Sequence, residues 1–177
     1  MTAPVQHPMY IDGQFVTWQG DAWIDVTNPA TEELLSRIPD GTAEDARRAI
    51  EAADKAQPAW EALPAIERAG WLRKIAAGIR ANASEISALI VAEGGKIQQL
   101  AEVEVNFTAD YIDYMSEWAR RYEGEILQSD RPGENIFVFK RPLGVTTGIL
   151  PWNFPFFLIA RKLAPALITG NPIVIKP

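Results

Sequence analysis

Two residues, Asn153 and Lys176, stand where an apolar run of the sequence ends and a polar function could begin. Asn153 lies in the segment GILPWNFP, residues 148–155, and Lys176 ends a second apolar run 23 positions later. A side-chain amide in a proline-bounded turn is a neutral donor whose direction is fixed before reaction, which suits a developing oxyanion. The competing role for Asn153 is to cap a helix that begins at Phe154 or Pro155. On local grounds capping is favoured, and both roles stay open.

The elements around these residues predict a β-α-β unit. Residues 145–150 form an apolar strand, residues 156–167 a helix with Pro155 at its tolerated start, and Gly170-Asn171 its end. Residues 172–176 then form the second strand. A strand, a tight polar turn, a helix and a parallel strand make the smallest unit that holds a nucleotide at the carboxyl ends of strands.

This unit is too small to bury itself. Strands of a parallel sheet are covered on both faces and need neighbours at both edges, but the sequence offers only two such strands and one crossover helix. The missing strands and helices are therefore expected from elsewhere, and the chain is predicted to be the front part of a larger protein.

The preceding residues predict peripheral strands and a helical layer. Asp12-Gly13 between short apolar arms indicates a hairpin over residues 10–16, and residues 34–38 form a further strand. Helices follow from Thr42, which is spaced with Asp45 as a capping box, from Pro64, and from a cap at Asn82 or Ser84. Residues 93–96 end the third helix, and residues 136–140 form an alternating strand.

A fourth helix carries large apolar side chains at steps of three or four residues. Helical spacing in an acidic chain favours packing in the core over stacking on nucleic-acid bases. The members of this aromatic stripe are Leu100, Val103, Phe107, Tyr111, Tyr114, Trp118 and Tyr122.

Composition excludes several classes of function. A formal charge of -6 and a pI near 4.9 argue against a nucleic-acid binder. The absence of cysteine removes disulfides, a thiolate nucleophile and cysteine-based metal sites, and His7 has no neighbouring ligands, so no metal site is predicted. The longest apolar stretch is too short for a membrane span, and the first residues lack a signal sequence, so a cytoplasmic location is expected.

Several motifs in one order resemble a known family. They are ILPWNFP at residues 149–155, RKLAPAL at 161–167, and GN at 170–171 with IVIKP at 173–177. Earlier matches are IDG at 11–13, NPAT at 28–31 and EGGK at 93–96. Together they look like the amino-terminal part of an NAD(P)-dependent aldehyde dehydrogenase, and the resemblance covers essentially the whole chain.

The resemblance implies a role for each candidate residue. Asn153 matches the asparagine that donates its amide to the oxygen of the thiohemiacetal formed when a cysteine attacks the aldehyde. Ile149, Leu150, Pro151 and Trp152 match residues that line NAD, or NADP in some members. Lys176 matches the lysine that hydrogen-bonds the adenosine ribose. The family further implies a homo-oligomer, a tetramer, and a small aldehyde as substrate.

Arg161 departs from the family pattern. The matching position lies on the substrate tunnel and is often aromatic, whereas arginine offers a planar fork of donors for a hydroxyl or a nascent carboxylate. A short hydroxyaldehyde such as lactaldehyde or glycolaldehyde is therefore the expected substrate. The alternative is a solvated arginine on the wet face of the helix.

The fold prediction is an incomplete α/β aldehyde dehydrogenase: peripheral strands, a helical layer and the first β-α-β of a Rossmann-like NAD-binding domain. Residues 1–177 form the amino-terminal portion of that domain, and a strand at about 135–141 resembles an oligomerisation element. The family's cysteine nucleophile and catalytic domain lie beyond these residues, so the chain alone is expected to be inactive. Its alternatives are an interaction module that pairs with intact subunits, or an inert remnant.

Overall fold

The computed structural model describes residues 4–18, 20 and 22–177. Its strands are β1 (Val5–Gln6), β2 (Met9–Ile11), β3 (Gln14–Val16), β4 (Trp23–Thr27), β5 (Leu34–Pro39), β6 (Glu125–Gln128), β7 (Asn135–Val138), β8 (Thr146–Ile149) and β9 (Ile173–Lys176). Its helices are α1 (Ala43–Ala62), α2 (Ala65–Ala81), α3 (Ala83–Gly94), α4 (Gln98–Ser116) and α5 (Phe157–Ile168), and a 3₁₀ turn (Glu117–Arg120) follows α4. Residues 1–3, part of the stretch for which no signal sequence is predicted, lie outside the described residues.

The described strands form small separate sheets. β1, β5 and β4 make a three-stranded sheet, while β2–β3, β6–β7 and β8–β9 are pairs, of which only β8–β9 is parallel. The predicted hairpin is confirmed, since Asp12 (φ 53°) and Gly13 (φ 73°) take the left-handed conformations that a two-residue hairpin turn needs. The predicted β-α-β unit is confirmed as β8–α5–β9, with boundaries displaced by one residue. β1, β4 and β6 were not predicted.

The helices meet through small side chains. The main core lies between α2, α4 and α5 and consists of Ala69, Leu72, Ala76, Ala109, Ile112, Ala160, Ala164 and Ile168. Alanine at so many of these positions lets the helix backbones approach closely. A second cluster, Ile90, Ala101 and Val105, joins α3 to α4. The core therefore anchors α5, the helix that follows Asn153.

Of the helix ends predicted for α1 and α3, two are confirmed and one is wrong. Thr42 and Asp45 form the predicted capping box of α1. Gly95, in the left-handed conformation (φ 65°), ends α3 as predicted. The cap predicted for α3 is wrong: Asn82 occupies the N-cap position, but its Nδ2 donates back to the Gly78 carbonyl (2.8 Å), and Ser84 lies inside the helix.

The prediction that the aromatic stripe packs in the core is wrong for the described chain. Tyr111 is half-buried, whereas the other six members of the stripe are exposed. α4 turns its narrower face inward, with Ala101, Val105 and Ala109 against its neighbours. Helical spacing identifies a coherent face, but the smaller side chains allow closer contact between helices and occupy the core.

Among the helices described, none is by itself long and apolar enough to cross a membrane; one bent pair, Ala65–Ala81 with Ala83–Gly94 at 72°, meets the length and composition test when taken together.

Candidate active site

The carboxyl ends of β8 and β9 bring the sequence-predicted residues to one edge. Ile149 pairs with Lys176 in the parallel register, and the Leu150 amide donates to the Lys176 carbonyl (3.1 Å). The chain then leaves the sheet through the Asn153 turn, residues 150–156, and enters α5. Because the carboxyl ends of parallel strands face the ligand in open α/β sheets, this edge is the candidate binding site.

The edge presents apolar surface beside a cation. Ile149 is 72% exposed and Trp152 is 88% exposed, while Pro151 is exposed and Leu150 half-buried. The Lys176 ammonium is exposed and donates to the Pro177 carbonyl (3.0 Å). An apolar wall next to an ammonium fits the ring faces and the hydroxyl or phosphate groups of a dinucleotide.

Asn153 is free to act through its side chain. The residue is exposed, and its side-chain amide hydrogen-bonds no other described residue, whereas its main-chain carbonyl accepts from Lys96 Nζ (3.1 Å). It does not cap α5, which begins at Phe157 without any side-chain cap from its own turn. The structure therefore removes the competing structural role that the sequence left open.

Glu104 of α4 satisfies the start of α5 instead. Its Oε1 accepts from the amides of Phe156 (2.9 Å) and Phe157 (3.1 Å), two of the donors that a helix start leaves unpaired. Its Oε2 pairs with the Lys96 ammonium. Glu104 is 1% exposed, and the Lys96 side chain is 16% exposed. Lys96 Nζ also lies 4.1 Å from the centroid of the Phe154 ring.

The Lys96–Glu104 pair was not predicted, although the position of Glu104 on α4 indicates a buried, paired carboxylate. Glu104 lies three residues after Ala101 and four before Thr108, on the buried face of α4. An acid on the buried face of a helix is rare unless paired. Lys96 directly follows the glycines that end α3, and no local pattern connects it to a residue eight positions later.

The far end of α5 is fixed by two buried polar residues. Asn171 Oδ1 accepts from the amides of Leu143 (2.6 Å) and Gly144 (3.1 Å), and its Nδ2 donates to Thr169 Oγ1 (2.8 Å). Arg68 Nε donates to the Ile168 carbonyl (3.1 Å) at the carboxyl end of the helix. The turn before β8 and the turn before β9 are thereby tied together.

Arg161 lies in the second turn of α5 and is exposed, with no hydrogen bond or ion pair to any residue that the structure describes. Four residues before it, Phe157 packs on Phe107 of α4 with ring centroids 4.5 Å apart. Residues four apart share a helix face. Arg161 therefore lies on the same face of α5 as Phe157, and no hydrogen bond joins it to the Asn153 turn.

No group of three or more His, Cys, Asp or Glu side chains in the described ranges is arranged to hold a metal ion.

The β8–α5–β9 unit has the arrangement of nucleotide-binding α/β enzymes, with its polar turn and lysine at the ligand-facing edge. The aldehyde dehydrogenase family model matches residues 15–177, and the chain belongs to that family.

Individual relatives agree. The chain is 85% identical over 177 residues to lactaldehyde dehydrogenase of Escherichia coli (strain K12), and it spans 37% of that protein's length. A crystal structure of that enzyme superposes with a TM-score of 0.98 over 99% of this chain and 37% of its own. The chain is 44% identical over 97% of its length to 3,6-anhydro-alpha-L-galactose dehydrogenase of Vibrio sp. (strain EJY3), 36% of which it covers. A structure of 3,6-anhydro-L-galactose dehydrogenase in complex with NAP has a TM-score of 0.94 at 41% identity, over 97% of this chain and 36% of that one.

Proposed function

We propose that these residues supply the oxyanion donor and part of the dinucleotide site of an enzyme that oxidises a small hydroxyaldehyde to its acid. The observation that carries the proposal is that the Asn153 main chain is held by Lys96 while its side-chain amide is exposed and unpaired within the described chain. Asn153 lies in the turn that follows β8, at the same edge of the sheet as Lys176. The likeness to lactaldehyde dehydrogenase, whose length the chain covers only in part, supports the choice of substrate.

Addition of a nucleophile to an aldehyde places negative charge on its oxygen. A pre-aimed amide N–H at Asn153 stabilises that charge, typically by about 3 to 4 kcal/mol in the transition state. These 177 residues contain no cysteine, so the thiolate that the family uses comes from outside them. Asn153 therefore acts here as a donor that waits for chemistry supplied by another segment.

The strand ends hold the dinucleotide, which supplies the hydride acceptor when bound. Ile149 and Trp152 give the apolar wall, and the Lys176 ammonium donates to the ribose hydroxyls, or to a phosphate if NADP is used. The exposed side chains at this edge fit both cofactors. Replacing Lys176 by Met is expected to raise the KM for the dinucleotide with little change in kcat, since the lysine is remote from the reacting carbonyl.

Arg161 selects the substrate in this proposal. An exposed guanidinium without a hydrogen-bond or ion-pair partner among the described residues, on the helix face that carries Phe157, offers donors to a hydroxyl or carboxylate. A hydroxyaldehyde such as lactaldehyde would gain these hydrogen bonds, and propanal would not.

A hybrid enzyme tests the proposal. In it, the 177 residues replace the matching segment of E. coli lactaldehyde dehydrogenase, which is 85% identical. Arg161→Leu is expected to lower the ratio of kcat/KM for lactaldehyde over propanal by about 10- to 100-fold, the loss of a charged hydrogen bond. Arg73→Leu, an exposed arginine on α2, is the control and should leave the ratio unchanged. An unchanged ratio in the Arg161 variant contradicts the substrate assignment.

A second candidate function is association with intact subunits through β6–β7. The ribbon is a lone antiparallel pair that exposes Ile126, Phe137 and neighbouring Phe139. A two-stranded ribbon is marginally stable by itself and gains from adding a strand. Mixing the 177-residue chain with full-length E. coli lactaldehyde dehydrogenase should then give a mixed assembly on sizing chromatography. Separate elution of the two proteins contradicts this function.

A further inference from the structure

One buried carboxylate holds the start of α5 from another helix. Glu104 belongs to α4, yet its Oε1 accepts from the amides of Phe156, the N-cap of α5, and Phe157, the first residue of that helix. A negative charge at this end of a helix is stabilised by the helix dipole. The position of α5 relative to α4 is therefore set by two hydrogen bonds to one carboxylate oxygen as well as by apolar packing.

Lys96 fixes the other side of the same turn. Its ammonium pairs with Glu104 Oε2, donates to the Asn153 carbonyl (3.1 Å) and stacks on the Phe154 ring (4.1 Å to the centroid). It follows Gly95, whose left-handed conformation ends α3 and turns the chain toward this site. The Lys96–Glu104 pair thus contacts the Asn153 turn before and after Pro155.

We infer that the Lys96–Glu104 pair is a positioning device that sets the direction of the Asn153 carboxamide for reaction. This inference rests on the proposed function of Asn153. With the Asn153 carbonyl held at one end of the turn and the Phe156 and Phe157 amides at the other, rotation of the intervening peptides is restrained. The Asn153 side chain can then leave the main chain in one direction only.

A contribution to folding stability does not by itself explain why the Lys96–Glu104 pair is buried here. A buried ion pair is often no more stabilising than apolar residues of the same volume, because both charges lose their water. This ion pair also makes hydrogen bonds to three backbone groups, the Asn153 carbonyl and the amides of Phe156 and Phe157. Apolar side chains cannot make such directional contacts. Lys96 and Glu104 touch no proposed cofactor or substrate group, so they act through Asn153.

The test uses the hybrid enzyme. Lys96→Met keeps the length of the side chain and removes the bond to the Asn153 carbonyl. We expect kcat to fall by about 10- to 100-fold, the usual effect of a misplaced catalytic group, while the KM for the dinucleotide changes little. Glu104→Gln keeps an acceptor for the α5 amides and removes the charge that holds Lys96, so a smaller loss of kcat in the same direction is expected.

Arg80→Met is the matched control. Arg80 joins α2 to α4 through Asp110 (2.7 Å) and Asp113 (2.6 Å), and neither carboxylate is among the partners of the Asn153 turn. The Arg80→Met substitution removes both ion pairs between the helices without touching that turn, so kcat should stay within about twofold, as for surface pairs.

The decisive readout is the combination with Asn153→Ala. If Lys96 acts through the Asn153 carboxamide, Lys96→Met lowers kcat in the parent hybrid and has no further effect when the carboxamide is already absent. The inference is overturned if Lys96→Met lowers kcat by the same factor in both backgrounds. It is also overturned if neither Lys96→Met nor Glu104→Gln lowers kcat in the parent hybrid. An unchanged kcat in Asn153→Ala itself is a different failure, since it overturns the proposed function and this inference with it. Should Lys96→Met not fold, Glu104→Gln is combined with Asn153→Ala in the same way.

Discussion

Replacing Arg68 by Met should destabilise the protein more than any other arginine-to-methionine change on α2. Arg68 is 8% exposed and donates to the carbonyls of Ile168 (3.1 Å), Glu61 (3.2 Å) and Leu63. Through these bonds it joins the carboxyl end of α5 to the turn between α1 and α2. Methionine fills a similar volume but leaves all three carbonyls without their donor.

The magnitude follows from the number and burial of these bonds. A buried acceptor that loses its partner costs about 1 to 3 kcal/mol, and three neighbouring losses add incompletely. We therefore expect a loss of about 3 to 5 kcal/mol, which lowers the apparent Tm by about 3 to 5 °C in a hybrid enzyme nearly three times as long as this chain. Burial lowers the pKa of the Arg68 guanidinium. Because arginine still remains protonated at neutral pH, the loss should be the same at about pH 6 and about pH 8.

The assay is thermal denaturation of the hybrid enzyme, followed by circular dichroism at one fixed scan rate. Arg73→Met is the control, an exposed arginine on the same helix, and should shift the Tm by about 1 °C at most. Arg68→Lys keeps a charge but cannot reach three carbonyls, so an intermediate shift is expected. Equal Tm values for the Arg68→Met and Arg73→Met variants would show that the three hydrogen bonds of Arg68 do not stabilise the protein.

Three further outcomes are expected. The 177-residue chain alone should give no aldehyde-dependent NADH formation, because it has no cysteine, and measurable turnover contradicts this. Hydrogen bonds from Thr42 lower the pKa of Asp45, so its stabilisation is present above the unfolded pKa and lost as pH falls through the folded one. A peptide of residues 40–63 should therefore lose helicity by circular dichroism on Asp45→Asn at pH 7, with the difference disappearing as pH falls through the lowered pKa of the folded carboxyl; a constant difference speaks against the cap. Gly170→Ala should lower the Tm of the hybrid, because φ is 89° and a Cβ would lie 2.9 Å from Pro142 Cγ, while Gly78→Ala, with open space, should not. Equal shifts for the two glycines would remove this explanation.

The fold was predictable wherever one local signal decided it. Asp12-Gly13, the capping box at Thr42 and Gly95 each require a particular backbone, and the structure confirms all three. The β8–α5–β9 unit also follows from apolar runs of the right length. Asn82 shows the limit of such local signals. It is a good capping residue, but its side chain donates to the Gly78 carbonyl of the preceding helix.

Relations between helices were not predictable from the sequence. The aromatic stripe has helical spacing, but spacing does not reveal which face the neighbours cover, and the alanine-rich face of α4 faces inward. By contrast, Asn153 and Lys176 could be proposed from the sequence because each stands at the end of an apolar run. Lys96 and Glu104 were missed because their contacts, 57 and 52 positions along the chain, exist only after α4 packs on α5.

The most direct measurement is a crystal structure of the hybrid enzyme with NAD bound. A ribose hydroxyl should lie within about 3 Å of Lys176 Nζ, with the dinucleotide against Ile149 and Trp152 and the Asn153 carboxamide on the nicotinamide side of the same site. A dinucleotide bound away from the carboxyl edge of β8 and β9, or an Asn153 side chain turned from it, contradicts the proposed site.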